Sequence, residues 1–199
     1  MRLVVLDRDG VINEDSDDYI KSADEWVPIP GSLDAIARLC RADYRVVVVS
    51  NQSGVGRGLF TLDTLNKIHI KMLEHVHQKG GEIDAILFCP HTPEADCACR
   101  KPRPGMLRQL ADRLKIKLHG VPVVGDSIRD LEAAVAVNAL PVLVRTGKGE
   151  RSVALLQGGR QQGLGTVPVF DNLAGFAEAL LDGELDAEIQ ALMGGGAGH

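Results

Sequence analysis

Two carboxylates stand one residue apart in Asp7-Arg8-Asp9-Gly10, directly after the apolar run Leu3 to Leu6. If a buried strand ends there, both acids can face one pocket, with Gly10 supplying the sharp exit. One can attack an electrophile such as phosphorus while the other exchanges a proton with the leaving oxygen, which needs two acids in different environments. The same pair can also do no more than cap loop amides. Three more clusters follow apolar runs. Ser50-Asn51-Gln52-Ser53-Gly54-Val55-Gly56-Arg57-Gly58 offers a hydroxyl, an amide and glycine-flanked backbone N–H groups, the donors of an anion cradle. Arg57 is either a bidentate phosphate clamp or a solvated loop charge. Lys101, in Arg100-Lys101-Pro102-Arg103-Pro104, is placed to neutralise phosphate charge. Asp126, in Gly125-Asp126-Ser127-Ile128-Arg129-Asp130, is a helix cap or a magnesium ligand, with Asp130 supporting it or orienting Lys101.

A fifth cluster has metal spacing. Cys89-Pro90-His91, then five residues, then Cys97-Ala98-Cys99, gives three thiols and an imidazole within eleven residues. That set satisfies a closed, four-ligand structural Zn²⁺ and leaves no open position for catalytic water. The remaining histidines, His69, His75, His77 and His119, form no ligand set and read as solvated.

Placing these groups in one pocket requires a particular scaffold. Leu3–Leu6, Arg45–Val49, Ala85–Phe88, Pro122–Val124 and Pro141–Val144 are short, continuous, β-branched runs. They alternate with helical segments at about Ser32–Arg41, Leu62–Gln78, Pro104–Leu114 and Ile128–Val137. Strands apolar on both faces and alternating with helices predict an α/β fold, a parallel sheet in three layers with helices on both sides. In such sheets ligands bind beyond the carboxyl ends of the strands, where the four reactive clusters stand. A last strand near Val167–Phe170 and a helix over Leu173–Leu181 complete the layer. Residues 1–185 read as a single domain, and 186–199, ending in a glycine-rich stretch, as a flexible tail. Glu14 to Pro30 reads as the loop from the first strand to the first helix.

Composition narrows the partners. With 22 basic and 27 acidic residues the chain carries a net charge of −5, which argues against nucleic-acid binding. No run reaches the roughly 18 apolar residues of a membrane span, and the early charge in Met-Arg-Leu-Val-Val-Leu-Asp does not suit a signal peptide. The expectation is a cytoplasmic monomer with reduced cysteines acting on a small phosphorylated molecule.

Taken together, DRDGVIN, the Ser50-Asn51-Gln52 strand end, Lys101 before a proline and GDSIRD follow the order of the four haloacid-dehalogenase superfamily motifs. With CPH and CACRKPRPG lying between the second and fourth, the chain resembles the histidinol-phosphate and heptose-bisphosphate phosphatase branch, from about Leu3 to Arg145. The resemblance implies a Mg²⁺-dependent phosphomonoesterase with little or no cap domain. Its substrate would be a heptose 1,7-bisphosphate, cleaved at the 7-phosphate to supply ADP-heptose for lipopolysaccharide, or histidinol phosphate. Asp7 would be the nucleophile that forms an aspartyl-phosphate, and Asp9 the general acid and then base. Asp7, the Asp9 backbone carbonyl and Asp126 would hold Mg²⁺, and Ser50 and Lys101 the transferring phosphoryl. Asp15, Ser16, Asp17, Asp18, Asn51, Gln52, Ser53 and Arg100 would contact substrate. Two features depart from the branch: Ser127 stands where some relatives carry lysine, and the loop between His91 and Cys97 is short. An inactive zinc-stabilised binding module would lack Asp7, Asp9, Lys101 or Asp126, and all four are present.

Overall fold

The structure, a computed structural model, describes residues 1–159, 163–165 and 167–194. Along β1 (Arg2–Leu6) the side chains alternate between two apolar environments. Val4 and Leu6 pack with one hydrophobic cluster, Leu3 and Val5 with another. A strand buried on both faces must be covered on both, and the chain supplies helices for each side. Helices α1 (Ser32–Arg41), α3 (Leu62–Gln78) and α7 (Leu173–Leu181) pack Ile36, Leu39, Ile68, Met72 and Phe176 onto one face. Helices α4 (Gly105–Leu114) and α5 (Ile128–Val135) pack Met106, Leu107, Leu110 and Ala134 onto the other. Between α1 and α3 lies the single turn α2 (Ser53–Gly56).

The remaining strands are β2 (Tyr44–Asn51), β3 (Ala85–Cys89), β4 (Pro122–Gly125), β5 (Leu140–Val144) and β6 (Val169–Phe170). All pairings are parallel and the order is β3-β2-β1-β4-β5-β6. The chain winds outward from β1 in one direction and from β4 in the other. A crevice therefore opens between the carboxyl ends of β1 and β4, where the connections part. The expected doubly covered parallel sheet is present. Glu14 to Pro30 forms no helix, so the connection carries no helical cap domain; it is a loop whose residues 15–17, 19 and 20 border the crevice.

Some expectations change. Asp186–Gly194, expected as flexible tail, is helix α8, and its Ile189 and Leu192 rest against the core; the terminal five residues lie outside the described residues. Two apolar side chains spaced three apart are enough to dock this last helix. Gly149–Gln157, unassigned in sequence, is helix α6, anchored by Val153 beside Leu131 and Leu143. The last strand is shorter than expected, two residues at Val169–Phe170. His69, expected to be solvated, is buried on the inner face of α3 and stacks obliquely on Phe88, with ring centroids 5.8 Å apart. Burial, with Arg8 nearby, lowers its pKa to about 4.

Candidate active site and metal centre

Asp7 follows β1 and Asp126 follows β4, so the crevice between those strands brings the two carboxylates together. The approach depends on glycine. A Cβ on Gly10 (φ 79°) or Gly147 (φ 58°) would collide with the Asp126 carboxylate, and both residues adopt the left-handed conformation that glycine tolerates. Thr146 Oγ1 donates to the Gly10 carbonyl at 2.6 Å, fastening the two glycine turns to each other.

Lys101 is the charge at the centre. Its buried ammonium pairs with Asp7 at 2.9 Å and Asp130 at 2.5 Å, and donates to the Val49 carbonyl at 2.9 Å. Asn51 fixes the Lys101 backbone from β2, accepting from its N–H at 3.0 Å and donating to its carbonyl at 3.1 Å. Asp130 also closes a capping box, accepting from Ser127 N and Oγ at 3.0 and 2.6 Å. Burial opposes ionisation of Asp130, but Lys101 and Ser127 outweigh it and lower its pKa. For Asp7 burial outweighs Lys101, and its pKa rises to about 6. Among the described residues Asp126 forms no salt bridge; burial, then Asp130 and Asp7, push its pKa up to about 8.

These groups fit a divalent cation. Oxygen atoms of Asp7, Asp126 and Asp130 lie within 4.8 Å of one another, and the one ammonium among them pairs with Asp7 and Asp130 but not with Asp126. Hard oxygen ligands with surplus negative charge are what Mg²⁺ prefers. Asp130 is committed to Lys101 and Ser127, which leaves Asp7 and Asp126 to hold the ion.

Asp9 is held differently. Its carboxylate accepts from Arg8 Nε and Nη2 at 3.0 and 2.9 Å, from Asn13 Nδ2 at 2.9 Å and from Gln52 Nε2 at 2.9 Å. Burial alone would raise its pKa; Arg8, Asn13 and Gln52 overcome burial and lower it. Two carboxylates one residue apart thus stand in different environments, Asp7 pushed toward the protonated form and Asp9 toward the ionised form.

The pocket, about 190 Å³, is lined by Asp7, Asp9, Ser50, Lys101 and Asp126, all anticipated in sequence. Asp15, Ser16, Asp17, Asn51, Gln52, Ser53 and Arg100 line it too. Asp18 borders a separate depression, and Arg57 is exposed and lines none of these surfaces. The side-chain amides of Asn51 and Gln52 are spent within the protein, on the Lys101 backbone and on Arg8, Asp9 and Ser50. Reasoning from sequence missed Tyr19, Arg129 and Lys148, which also line the pocket. Lys148 pairs with Asp15 at 2.6 Å, and its backbone N–H donates to Asp126 at 2.8 Å. It follows β5, so applying the strand-end rule to this strand as well would have found it.

The cysteine cluster assembles as its spacing implied. Cys89 Sγ lies 3.5 Å from both His91 Nδ1 and Cys97 Sγ, and Cys99 Sγ lies 3.1, 3.4 and 3.3 Å from Cys89, Cys97 and His91 Nδ1. A tetrahedron of thiolates at roughly 2.3 Å from Zn²⁺ has edges of roughly 3.8 Å, so the four atoms need to part only slightly to take the ion. The loop ends two residues before Lys101, and Gly105 N–H and Gly56 N–H tie it to α4 and α2 through the Ala98 and Pro90 carbonyls, at 3.0 and 2.9 Å.

Known proteins share this arrangement. Residues 98–174 match the HAD-hydrolase-like family model, and residues 3–130 that of the polynucleotide kinase 3 phosphatases. The D-glycero-beta-D-manno-heptose-1,7-bisphosphate 7-phosphatase of Bordetella bronchiseptica is 54% identical over 181 residues, 91% of this chain and 98% of its own. That of Pseudomonas putida is also 54% identical, over 91% of this chain and all of its own. The crystal structure of the B. bronchiseptica D,D-heptose 1,7-bisphosphate phosphatase with magnesium and phosphate covers 92% of this chain and 99% of its own, with a TM-score of 0.86.

Proposed function

The chain belongs to the D-glycero-beta-D-manno-heptose-1,7-bisphosphate 7-phosphatase family of HAD-like hydrolases, and from that premise we propose that it removes the 7-phosphate of the β-anomer through an aspartyl-phosphate. The observation that carries the reading is the buried Lys101 ammonium bridging Asp7 and Asp130, with Asp126 opposite, at the crevice between β1 and β4. It orients Asp7 and supplies a fixed positive charge where phosphoryl oxygens would lie.

In the first step Asp7 attacks phosphorus: an aspartyl O–P bond forms, the bond from phosphorus to the sugar oxygen breaks, and Asp9 gives that oxygen its proton. In the second, Asp9 takes a proton from water as it attacks the acyl phosphate, releasing phosphate and restoring Asp7. Asp9 takes up its proton from solvent before the first step, against the direction its partners set in the free site, and its ionised form serves the second. Lys101 and the Ser50 hydroxyl bind the phosphoryl oxygens. Asp7, Asp126 and the Asp9 carbonyl would hold Mg²⁺, which when bound would neutralise further phosphoryl charge. Cys89, His91, Cys97 and Cys99 would hold a structural Zn²⁺, which would fix the loop that leads into Lys101.

A second phosphate has its own candidate partners. Arg100 and Arg129 both line the pocket, and among the described residues neither forms a salt bridge. Burial and the neighbouring Arg129 charge lower the Arg100 pKa, as expected of two guanidinium groups facing each other without an anion. Asp15, Ser16 and Asp17, across the pocket, suit sugar hydroxyls.

The test is Mg²⁺-dependent phosphate release from both heptose 1,7-bisphosphate anomers, histidinol phosphate and a 3′-phosphorylated oligonucleotide. A preference of about a hundredfold in kcat/KM for the β-bisphosphate, about 2.7 kcal/mol, is expected. Asp7→Asn should reduce turnover at least about 1,000-fold with the fold retained. A preference for histidinol phosphate or the oligonucleotide would reject the substrate, and turnover by Asp7→Asn would reject the nucleophile.

A further inference from the structure

Arg8 lies between the two catalytic carboxylates in sequence, yet its side chain is wholly buried and does not line the pocket. A buried guanidinium is costly to desolvate, and Nη1 finds no partner among the described residues, so Arg8 is a poor choice if only packing were needed. Its other nitrogens form a fork on Asp9, Nε to Oδ1 at 3.0 Å and Nη2 to Oδ2 at 2.9 Å. A fork fixes both the position and the plane of a carboxylate, which a single contact does not. Nη2 also donates to Gln52 Oε1 at 3.1 Å, while Gln52 Nε2 donates to Asp9 Oδ2 and Ser50 Oγ, each at 2.9 Å. The Asp9 carboxylate and the Ser50 hydroxyl are therefore two ends of one hydrogen-bonded unit with Arg8 beneath it.

We propose that Arg8 is a positioning residue which, through this fork and Gln52, sets the Asp9 carboxylate at a fixed distance from the phosphoryl site so that it meets the leaving oxygen. The proposal rests on the reading of Asp9 as the group that protonates that oxygen. Small displacements of a proton donor are expensive, because transfer requires hydrogen-bond reach. A merely structural ion pair would lack one property of this arrangement: its loss would not depend on the leaving group.

The experiment compares kcat/KM for an alkyl phosphate, the heptose bisphosphate, with that for p-nitrophenyl phosphate, whose aryl oxygen departs without a proton. This parameter covers steps through leaving-group release, so hydrolysis of the aspartyl-phosphate does not enter it. For Arg8→Lys, which keeps the charge and loses the fork, the alkyl-to-aryl ratio should fall at least about tenfold. Arg8→Gln should lower it as much or more, and serves if the lysine variant does not fold. A ratio within about twofold of wild type in the folded variants, with both substrates slowed together, overturns the proposal. Asp9→Asn is the control. If it collapses the ratio and the Arg8 variants do not, the positioning role alone fails; if it leaves the ratio intact, the reading of Asp9 fails and the proposal with it.

Discussion

The pocket at the β1–β4 crevice and the loop from Cys89 to Cys99 both gather chemically demanding side chains, but different things hold them in place. In the pocket each group is anchored from another element. Lys101 is gripped by β2 through Asn51 and Val49 and by α5 through Asp130, and Asp9 by Arg8, Asn13 and Gln52. In the loop the thiols and the imidazole face one another, and the anchors are mostly local: Arg100 donates to the His91 carbonyl and Arg103 to those of Asp96 and Cys97, with Gly56 and Gly105 N–H tying Pro90 and Ala98. Burial also differs: Lys101 and Asp130 are buried, whereas His91 is exposed and Cys97 and Cys99 are half-buried. A site built on strand ends can be preorganised without its ligand, while a loop whose ligand atoms face one another would be completed only by an ion.

The sharpest way to break that contrast is to remove the central cation. Lys101→Met leaves Asp7 and Asp130 buried without their partner, and should cost about 3–5 kcal/mol of stability in denaturant unfolding. A loss below about 1 kcal/mol would mean the pocket is not held by its ion pairs.

The next largest effect concerns His69, buried beneath the pocket with a pKa near 4 against about 6.5 when unfolded. Because the unfolded chain binds the proton more readily, this contribution to stability is complete above about pH 6.5. It is lost as pH falls from about 6.5 to 4, by roughly 2–3 kcal/mol. Measured against His69→Gln, wild type should lose more stability over that interval. Parallel pH profiles would show that the site tolerates the imidazolium.

The smallest expected effect sharpens the comparison from the other side. Purified protein should hold about one zinc per chain, and stripping it should loosen the loop, seen as protease cleavage between Cys89 and Arg103, while far-ultraviolet dichroism stays unchanged. Activity should fall about tenfold, since the loop feeds directly into Lys101. Global unfolding on chelation would contradict the view that the sheet organises the pocket independently of the loop.

Much of this was legible from residue types. Continuous β-branched runs required a sheet covered on both faces, because strands apolar on both sides have no other home. Cys89, His91, Cys97 and Cys99 announced a four-ligand site by spacing alone. What the sequence could not reveal were distances between elements remote in the chain. Only the folded sheet showed that Asn51 and Gln52 serve Lys101 and Asp9, that Arg57 stays outside, and that Lys148 and Arg129 enter the pocket. The same holds for His69, whose helical position did not reveal which face α3 would bury. Local pattern thus determined most of the elements, α6 and α8 excepted, and four of the strand ends that carry chemistry. Tertiary structure decided which side chains meet there, because strand order and burial set the contacts and the protonation states that divide Asp7 from Asp9.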